Sequence, residues 1–510
     1  MIEVKVHQQL RAFLRGSGEP SWPHQLTMAR LVARALRLGR SALIQTGVPC
    51  NYQGRHCLSY LLPALMWPKP AIVVAPSERQ QRLLMVEIPR LQQWMGTSKP
   101  IRTGTSWPGA DFTGLLLTTP DAWLQDRLQG QQRFPTIPTI LDGVDNLEAW
   151  TRNQLMACMG PADWHELMLA FPRQIEIIRD ARVQLTRAVF QHPSSPYECC
   201  LIEDETRAIL QRLYEFLLAE NALAMPDAFR NFAEGLYADE QLIWAEIVRS
   251  QGMFSLSRGP VEVADALTPI WPQQPVVLIG GALDLEASAP VYCAGMGLAD
   301  LTTLKFSADR HSELIHLYLP EGLPLPNTAQ FQVCLLREIR SMLALSAAGE
   351  GLTVILIGDV PLKDRVGAVL AAEFGSRVQV EKTSLDPRGI LVTGWEFWRQ
   401  HQAALPPPML LAIATLPIPS REHPLVAGRV AYYKRKRKDW FRLYLLPVAL
   451  NELQRAIAPA RERLGIVALL DSRVIHRSYG QSVLAALGPL ARINYLDASW
   501  FTRSDYSVRD

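Results

Sequence analysis

The sequence predicts an α/β protein with two parallel-sheet lobes and a helical insert in the first lobe. Short apolar runs ended by turn or polar residues alternate with helical patterns between residues 20 and 150, and this alternation returns between residues 301 and 510. Between these regions, residues 151–255 carry apolar residues at three- and four-residue spacing. That spacing is typical of amphipathic helices, whereas short buried strands separated by helices form a parallel sheet.

The first lobe is predicted from the strands SALIQ, AIVVAP, GLLLTTP and TILDG and from the helix MARLVARALRLG. Because helices separate these strands, we expect a parallel sheet that helices cover on its faces. Residues 1–150 are therefore assigned to the first part of lobe 1. PVVLIGGAL, within residues 256–300, is assigned to a segment that returns to the same lobe.

The insert and the second lobe follow from the same reasoning. Residues 151–255 are predicted as a helical block from TRNQLMACM, ETRAILQRLYEFLLAENAL and AFRNFAEGLYADEQLIWAEIVRSQ, with a break at HPSSPYECC. Residues 301–510 are assigned to lobe 2, with the strands TVILIGDV, RGILVTG, LLAIATLP and LGIVALLD and the helices LREIRSMLALSAAG and LKDRVGAVLAAEFG.

The composition is that of a soluble globular protein. Of 510 residues, 48% are hydrophobic and 20% are charged, and the net charge is +3. This balance argues against a globally basic nucleic-acid binder but allows a local basic patch. The sequence has no apolar run long enough to span a membrane. MIEVKVHQQLRAFLRG lacks the long apolar core of a signal peptide, so we expect a cytoplasmic protein without membrane partners.

The seven cysteines do not indicate a metal site. None forms C-x-x-C and no group has the spacing of zinc ligands, so we expect reduced and mostly buried thiols. They are Cys50, Cys57, Cys158, Cys199, Cys200, Cys293 and Cys334.

Short signatures occur in one order along the chain. In the first half they are SWPHQLTMARLVARAL with Gln25, the strand–loop–helix stretch SALIQTGVPCNYQGRHCLSYLLPALM, then IVVAPSERQQRLL, TILDGVDNLEAW and VVLIGGAL. In the second half they are GWEFWRQHQAALPPPMLLAIATLPIPSREHPL and LQRAIAPARERLGIVALLDSRVIHRSYG. In this order they resemble the signatures of DinG/XPD-like superfamily 2 DNA helicases, from the glutamine motif and phosphate loop to the final Leu-Asp-x-Arg…Tyr-Gly.

The resemblance implies two RecA-like lobes and single-stranded or forked DNA as partner, with ATP and Mg²⁺ as cofactors only if the nucleotide site is intact. It also implies a nucleotide site, of which the matching positions or remnants are Gln25, Gly47, Gly54, Arg55, His56, Asp142, Gln454 and Arg461. Many relatives carry an iron–sulfur cluster held by four cysteines before the acidic box. This chain has no cysteine between Cys57 and Asp142, so we expect no such cluster.

The phosphate loop departs from its pattern at each position that carries chemistry. Six residues separate Gly47 from Gly54 where the standard loop has four, and Arg55, His56 and Cys57 stand where Gly-Lys-Ser/Thr is expected. The lysine holds phosphates and the hydroxyl helps to hold Mg²⁺. Arginine does not reproduce a compact ammonium group, and a thiol is a poor ligand for hard Mg²⁺. We therefore interpret the loop as vestigial.

The other motifs that serve hydrolysis depart as well. Gly143 stands where the catalytic glutamate is expected, after Asp142, and we interpret Asp145 as an acidic turn residue rather than its replacement. Gly280-Gly281-Ala282 replaces Ser-Ala-Thr. Arg399 to Gln402 replace Glu-Gly-Val-Asp, and the Gly-Arg of the last motif is absent between Gln454 and Arg461. Asp142 and Arg461 are thus remnants, and no residue is predicted to be catalytic.

A basic run offers a nucleic-acid site. YYKRKRKDWFR contains Lys434, Arg435, Lys436, Arg437 and Lys438 between aromatic residues. Basic groups neutralise phosphates and aromatic rings stack on bases, but a solvated basic helix with inward aromatics would have the same sequence.

Three functional hypotheses remain from the sequence. The first is a helicase-related protein that binds nucleic acid, or a protein partner, without hydrolysing ATP. The second is an active ATP-dependent DNA helicase with unusual motifs. The third is a scaffold that binds a protein partner through the insert.

Overall fold

The computed structural model describes residues 1–18, 22–47, 54, 56–97, 99–193, 195–307, 314–347, 349–463 and 465–502. The first part of lobe 1 alternates helices and short strands, as the sequence predicts. Its elements are α1 (Ile2–Ser17), α2 (Gln25–Leu38), β1 (Ala42–Gln45), α3 (Cys57–Met66), β2 (Ala71–Val74), α4 (Ser77–Arg82), α5 (Ile88–Met95), β3 (Ile101–Thr103), β4 (Leu115–Thr118), α6 (Pro120–Gln129), β5 (Thr139–Asp142) and α7 (Leu147–Leu155).

The insert follows α7 and contains both helices and strands. Its elements are β6 (Ala157–Met159), α8 (Pro161–Ala170), α9 (Ile175–Gln191), β7 (Cys199–Leu201), α10 (Asp204–Asn221), α11 (Asp227–Glu234), β8 (Gln241–Val248) and β9 (Met253–Pro260). The four strands form an antiparallel sheet in the order β6-β9-β8-β7.

These strands correct the prediction of a helical block. The stretch QLIWAEIV was predicted as helix from its apolar spacing, but it forms β8. Ile243 and Trp244 are both buried, and from Ala245 to Val248 buried and exposed residues alternate, as in a half-buried strand. Three- and four-residue spacing was therefore misleading here, because the tertiary partner β9 decided the structure.

Lobe 1 closes around a seven-stranded parallel sheet. The chain returns through α12 (Ala264–Leu267), β10 (Val276–Gly280), α13 (Pro290–Gly295) and β11 (Thr302–Lys305). The strand order is β11-β1-β10-β5-β2-β4-β3, and every neighbouring pair is parallel. The strands β1, β2, β4, β5 and β10 are buried along their whole length, which agrees with their apolar sequences.

Lobe 2 has a second seven-stranded parallel sheet. Its elements are β12 (Ile315–Tyr318), α14 (Phe331–Ser346), β13 (Thr353–Leu356), α15 (Val360–Phe374), β14 (Val378–Val380), β15 (Ile390–Thr393), α16 (Trp395–His401), β16 (Leu410–Ile413), α17 (Pro424–Arg435), α18 (Leu446–Glu462), β17 (Ile466–Leu469), α19 (Arg473–His476), α20 (Gly480–Ala486), β18 (Leu490–Ile493) and α21 (Ser499–Thr502). The order is β14-β15-β13-β16-β17-β12-β18, again parallel throughout. The predicted α/β class with two parallel-sheet lobes is confirmed.

The predicted domain boundaries at residues 255 and 300 lie inside a strand and just before a strand, respectively. Strand β9 of the insert crosses residue 255, and β11, beyond residue 300, pairs with β1 of lobe 1. Within the ranges given above, none of the helices combines the length and the apolar character needed to cross a membrane.

Candidate functional site

The strand and helix that flank the predicted phosphate loop are both present, as β1 and α3. The N–H group of Gly47 donates to the carbonyl oxygen of Gly281, just beyond the neighbouring strand β10, at 2.9 Å. Gly47 and Gly54 have φ angles of +75° and +58°, which glycine adopts without steric cost. Residues 48–53 and the predicted site residue Arg55 lie outside the described residues.

Asp142, the last residue of β5, is bonded to two side chains from the start of α3. His56 Nε2 donates to one carboxylate oxygen of Asp142 at 2.9 Å, and the hydroxyl of Tyr60 donates to the other at 2.8 Å. All three residues are buried. They meet because β1 and β5 flank β10 in the parallel sheet, so their carboxyl ends reach the same edge.

Arg79 of α4 supplies positive charge to the same cluster. Its Nη1 atom lies 3.8 Å from Asp142 Oδ2 and donates to the sulfur of Cys57 at 3.4 Å. A Cβ atom on Gly54 would lie 2.9 Å from Nη1 of Arg79, so glycine at that position leaves space for the guanidinium. We call His56, Cys57, Tyr60, Arg79 and Asp142 the Asp142 cluster.

The cluster fixes the protonation of its acidic members. Burial opposes ionisation of Asp142, but electrostatic attraction to His56 and Arg79 and the bonds from His56 and Tyr60 outweigh it and hold the pKa of Asp142 at about 2. Burial, with the nearby Asp142 charge, raises the pKa of the Cys57 thiol to about 11 and raises the pKa of Tyr60 well above its ordinary value. At neutral pH the carboxylate is therefore charged, while the thiol and the phenol are protonated.

The residues present do not fit Mg²⁺ with ATP. Mg²⁺ prefers oxygen ligands and retains several waters, but both oxygens of Asp142 accept hydrogen bonds from protein groups in a buried site. Ligand atoms of His56, Cys57 and Asp142 lie within 4.8 Å of one another, and this donor set would suit a softer metal ion. Such an ion would have to displace Arg79 and remove the thiol proton of Cys57, so we assign no metal to the cluster.

The position expected to carry the catalytic glutamate cannot readily accept one. Gly143 has a φ of +92°, and a Cβ atom there would lie 3.4 Å from the ring of Trp150. Asp145 is not a replacement base, because its carboxylate accepts hydrogen bonds from the backbone N–H groups of Gly281, at 3.0 and 2.9 Å, and Ala282, at 3.1 Å. Asp145 thereby joins the loop after β5 to the turn after β10, a contact that the sequence did not predict.

The remaining predicted nucleotide residues are not brought into the Asp142 cluster. Gln25 is buried at the start of α2. Gln454 of α18 lines a cavity between the two lobes. Arg461 is buried inside lobe 2, where its guanidinium donates to the carbonyl oxygens of residues 487, 488 and 489 at 2.7–3.2 Å. These three bonds give Arg461 a structural role in the loop between α20 and β18.

The basic run predicted to bind nucleic acid is exposed at the end of α17, but it is partly neutralised by acidic residues. Lys436 Nζ lies 3.5 Å from a carboxylate oxygen of Glu240, and Lys438 Nζ lies 3.0 Å from Glu262. Among the described residues, no carboxylate lies within ion-pairing distance of Lys434, Arg435 or Arg437 in this structure.

The tyrosines of that run pack inward and are not available for base stacking. Tyr432 and Tyr433 are buried in a cluster with Val261 and Tyr444. Trp440 is partly buried, with Arg421 and Lys434 above its ring. The structure therefore favours phosphate contacts over aromatic stacking at this surface.

A group of charged residues joins lobe 2 to lobe 1. Glu148 Oε1 accepts from Arg429 of α17 at 2.6 Å and from Arg152 at 2.7 Å, and the guanidinium of Arg429 lies 3.9 Å above the ring of Tyr444. Arg152 also donates to the carbonyl oxygens of residues 260 and 261. We call Glu148, Arg152, Arg429 and Tyr444 the interlobe clamp.

The pKa of Glu148 and the close packing of α17 both agree with a firm contact at the interlobe clamp. Partial burial opposes ionisation of the half-buried Glu148, but the charges of Arg429 and Arg152 outweigh it and lower the pKa of Glu148. One turn of α17 lies close against the insert, because a Cβ atom on Gly428 would lie 2.9 Å from the side chain of Leu242. The basic run, the insert and lobe 1 are thus held together by one contact surface.

The Leu-Asp-x-Arg motif of the second half has a structural explanation. Asp471, fully buried after β17, accepts a hydrogen bond from the N–H group of Leu416 at 2.8 Å. Its carboxylate also accepts from the guanidinium of Arg473 at 2.6–3.0 Å. The Leu-Asp-x-Arg pattern therefore positions the loop after β16.

Comparisons with solved structures agree with this architecture. One XPD helicase structure gives a TM-score of 0.59 at 12% identity, covering 93% of this chain and all of the other. Xpd4 of S. tokodaii gives 0.59 at 12% identity, and an apo XPD structure gives 0.57 at 13%, each covering 92% of this chain. The chain has the fold of an XPD helicase.

Identity at this level supports the fold alone, and by sequence no family model and no curated protein matches the chain. The likeness to XPD structures agrees with the two parallel seven-stranded sheets of this chain. Sequence reasoning missed Tyr60 and Arg79 as partners of Asp142, and it missed Glu148 and Arg429. No local pattern marks these pairs, because their members meet only in the folded chain.

Proposed function

We infer that this XPD-fold protein binds nucleic acid and does not hydrolyse ATP. The observation that carries the proposal is the carboxylate of Asp142, whose two oxygens are bonded to His56 and Tyr60 while Arg79 lies beside them. In an ATPase of this fold that carboxylate serves the magnesium ion. Here its charge is balanced by groups of the protein, and glycine stands at the position of the catalytic base.

The first test measures nucleotide binding and turnover. We expect no saturable binding of Mg-ATP by calorimetry and no phosphate release above background with single-stranded DNA. Loss of a general base costs about 10²- to 10⁴-fold in rate. Loss of an arginine finger costs about 10³-fold or more. Turnover that DNA stimulates and that Asp142→Ala abolishes would overturn the proposal and establish a DNA-stimulated ATPase.

The nucleic-acid part of the proposal rests on the exposed basic run at the end of α17. Lys434, Arg435 and Arg437 are exposed and form no ion pair with a carboxylate among the described residues, so they are the groups best able to neutralise phosphates. Lys436 and Lys438 are engaged by Glu240 and Glu262. The expected partner is single-stranded or forked DNA, bound with a strong dependence on salt.

The second test measures single-stranded DNA affinity against salt concentration. Each phosphate contact contributes about 0.7 to the log–log slope for a single strand. The triple variant Lys434→Ala, Arg435→Ala, Arg437→Asn should lower the slope by about 2. Asparagine is chosen at Arg437 because that residue has a φ of +54°, which asparagine tolerates.

The matched control is the double variant Lys436→Ala, Lys438→Ala. It removes two positive charges that are already paired with Glu240 and Glu262. This control should lower the slope by less than half as much as the triple variant. Absence of binding by the wild type at low salt would contradict the proposal and favour the scaffold.

A further inference from the structure

The five cations at the end of α17 fall into two groups. Lys434, Arg435 and Arg437 are exposed and form no ion pair with a carboxylate of the described residues. Lys436 and Lys438 lie beside two glutamates, one in the insert and one in the segment that returns to lobe 1. The two groups therefore differ in what a phosphate group would meet beside them.

Glu262 is anchored opposite Lys438. Its two carboxylate oxygens accept from Nζ of Lys438 at 3.1 and 3.0 Å, and Oε2 also accepts from the hydroxyl of Tyr432 at 3.4 Å. Burial, with the nearby charges of Glu262 and Glu240, raises the pKa of Tyr432 to about 12, so the phenol keeps its proton at neutral pH and can donate. The carboxylate is thus held by a buried side chain as well as by the lysine.

The backbone at the end of α17 turns Lys438 toward Glu262. Arg437 has a φ of +54°, and its N–H group donates to the carbonyl oxygen of Lys434 at 3.0 Å. The N–H group of Lys438 donates to the carbonyl oxygen of Tyr433 at 2.9 Å, which completes a Schellman cap. The ammonium group of Lys438 then lies 5.7 Å from the centre of the Tyr433 ring, on the side that Glu262 occupies.

Glu240 pairs with Lys436 in a looser arrangement. Nζ of Lys436 lies 3.5 Å from Oε1 of Glu240 and 5.6 Å from the centre of the Tyr432 ring. The four side chains of the two lysine–glutamate pairs are between 30% and 54% exposed. Exposed pairs of this kind add little to stability, so a phosphate group can reach both lysines and compete with the carboxylates.

The carboxylates oppose phosphate binding in two ways. They neutralise the ammonium groups, so a strand that contacts these lysines must displace a carboxylate as well as its own counterions. They also repel a phosphate group that comes within the Debye length, about 8 Å at physiological ionic strength. Because each lysine lies 3.0–3.5 Å from its glutamate, a phosphate group cannot contact either lysine without entering this range.

We propose, as an extension that rests on the proposed function, that Glu240 and Glu262 restrain nucleic-acid binding by occupying Lys436 and Lys438. A single strand contacts the three unpaired cations, and it gains the other two only when the glutamates lose their charge. Both glutamates lie outside lobe 2, whereas the basic run belongs to it. The insert and lobe 1 therefore regulate a binding surface on lobe 2.

The experiment measures the affinity of the full chain for a fluorescein-labelled oligothymidylate against salt concentration, by fluorescence anisotropy. The variant Glu240→Gln, Glu262→Gln keeps the size of both side chains and removes their charge. We expect it to bind more tightly than the wild type and to steepen the log–log slope by about 1.4, because two more cations contact phosphates. Adding Lys436→Ala and Lys438→Ala to this variant should return the slope to the wild-type value.

The control is Glu176→Gln with Glu350→Gln, which changes the net charge by the same amount at two exposed glutamates that pair with Arg179 and Arg388. It should leave the slope unchanged. Glu240→Gln alone should steepen the slope by about 0.7, and it gives an independent reading if the double glutamine variant does not fold.

The outcomes separate this restraint from the proposed function. If the wild type binds and the glutamine variant has the same slope, the restraint is overturned and the proposed function stands. Equal steepening in the control would also overturn it, because net charge alone would then explain the effect. If the wild type does not bind at low salt, the proposed function fails. Binding by the glutamine variant alone would then support the restraint, and absence of binding by both would overturn it.

Discussion

Asp142→Ala is expected to lower the free energy of unfolding of lobe 1 by about 3–5 kcal/mol, the cost of removing one partner from a buried ion pair. The substitution leaves Arg79 and His56 buried without the carboxylate that both face, and it removes the acceptor of the Tyr60 hydroxyl. An ATPase that used this aspartate for magnesium would lose activity, not stability. Urea unfolding followed by tryptophan fluorescence measures the change.

Two variants separate the parts of this effect. Asp142→Asn keeps the shape and an acceptor oxygen but removes the charge, so its effect should be close to that of alanine if electrostatics dominate. Tyr60→Phe removes one hydrogen bond to a charged group and should cost about 1.5–3 kcal/mol. A loss below 1 kcal/mol in Asp142→Ala would show that the cluster does not stabilise lobe 1.

The loss of folding stability at acidic pH gives a further test of Asp142. The pKa of Asp142 is lowered in the folded protein to about 2, from an ordinary value of 3.8. The stabilisation is therefore complete above the unfolded value and is lost as the pH falls from about 4 to 2. Asp142→Asn should flatten the pH dependence of stability in that window. An unchanged acid limb would contradict the assignment of the low pKa.

Glu148→Ala is expected to cost about 2 kcal/mol and to loosen lobe 2 from lobe 1. Removing the carboxylate leaves Arg152 and Arg429 close together, with like charges and no shared acceptor. We take a value below that of Asp142→Ala because the Glu148 side chain is 36% exposed, so solvent screens part of the charge. Distances between spin labels on the two lobes should become more broadly distributed.

The control is Glu176→Ala, which removes an exposed carboxylate paired with Arg179 at a spacing of three residues on one helix. Exposed pairs contribute about 0–1 kcal/mol, so neither stability nor the label distances should change appreciably. Equal effects of the two substitutions would show that the interlobe clamp does not hold the lobes.

The sequence by itself determined the α/β class, the two parallel sheets and the order of the signatures. Continuous apolar runs such as AIVV and VVLIG are most stable in a sheet buried between two layers of helices, so the local pattern was sufficient for them. It also determined which chemical groups are absent, because a missing lysine or glutamate can be read directly from the chain. The helix predicted for QLIWAEIV was wrong because pairing with β9, not local spacing, stabilises that segment.

Only the tertiary structure decided what replaced the missing chemistry. Tyr60 and Arg79 reach Asp142 from α3 and α4, and Arg429 reaches Glu148 across 281 residues of chain. Arg461, a nucleotide residue by resemblance, binds three carbonyl groups within lobe 2. Burial and charge compensation act between residues that are distant in sequence, and the free energy of a buried charge depends on which partner lies within a few ångströms of it.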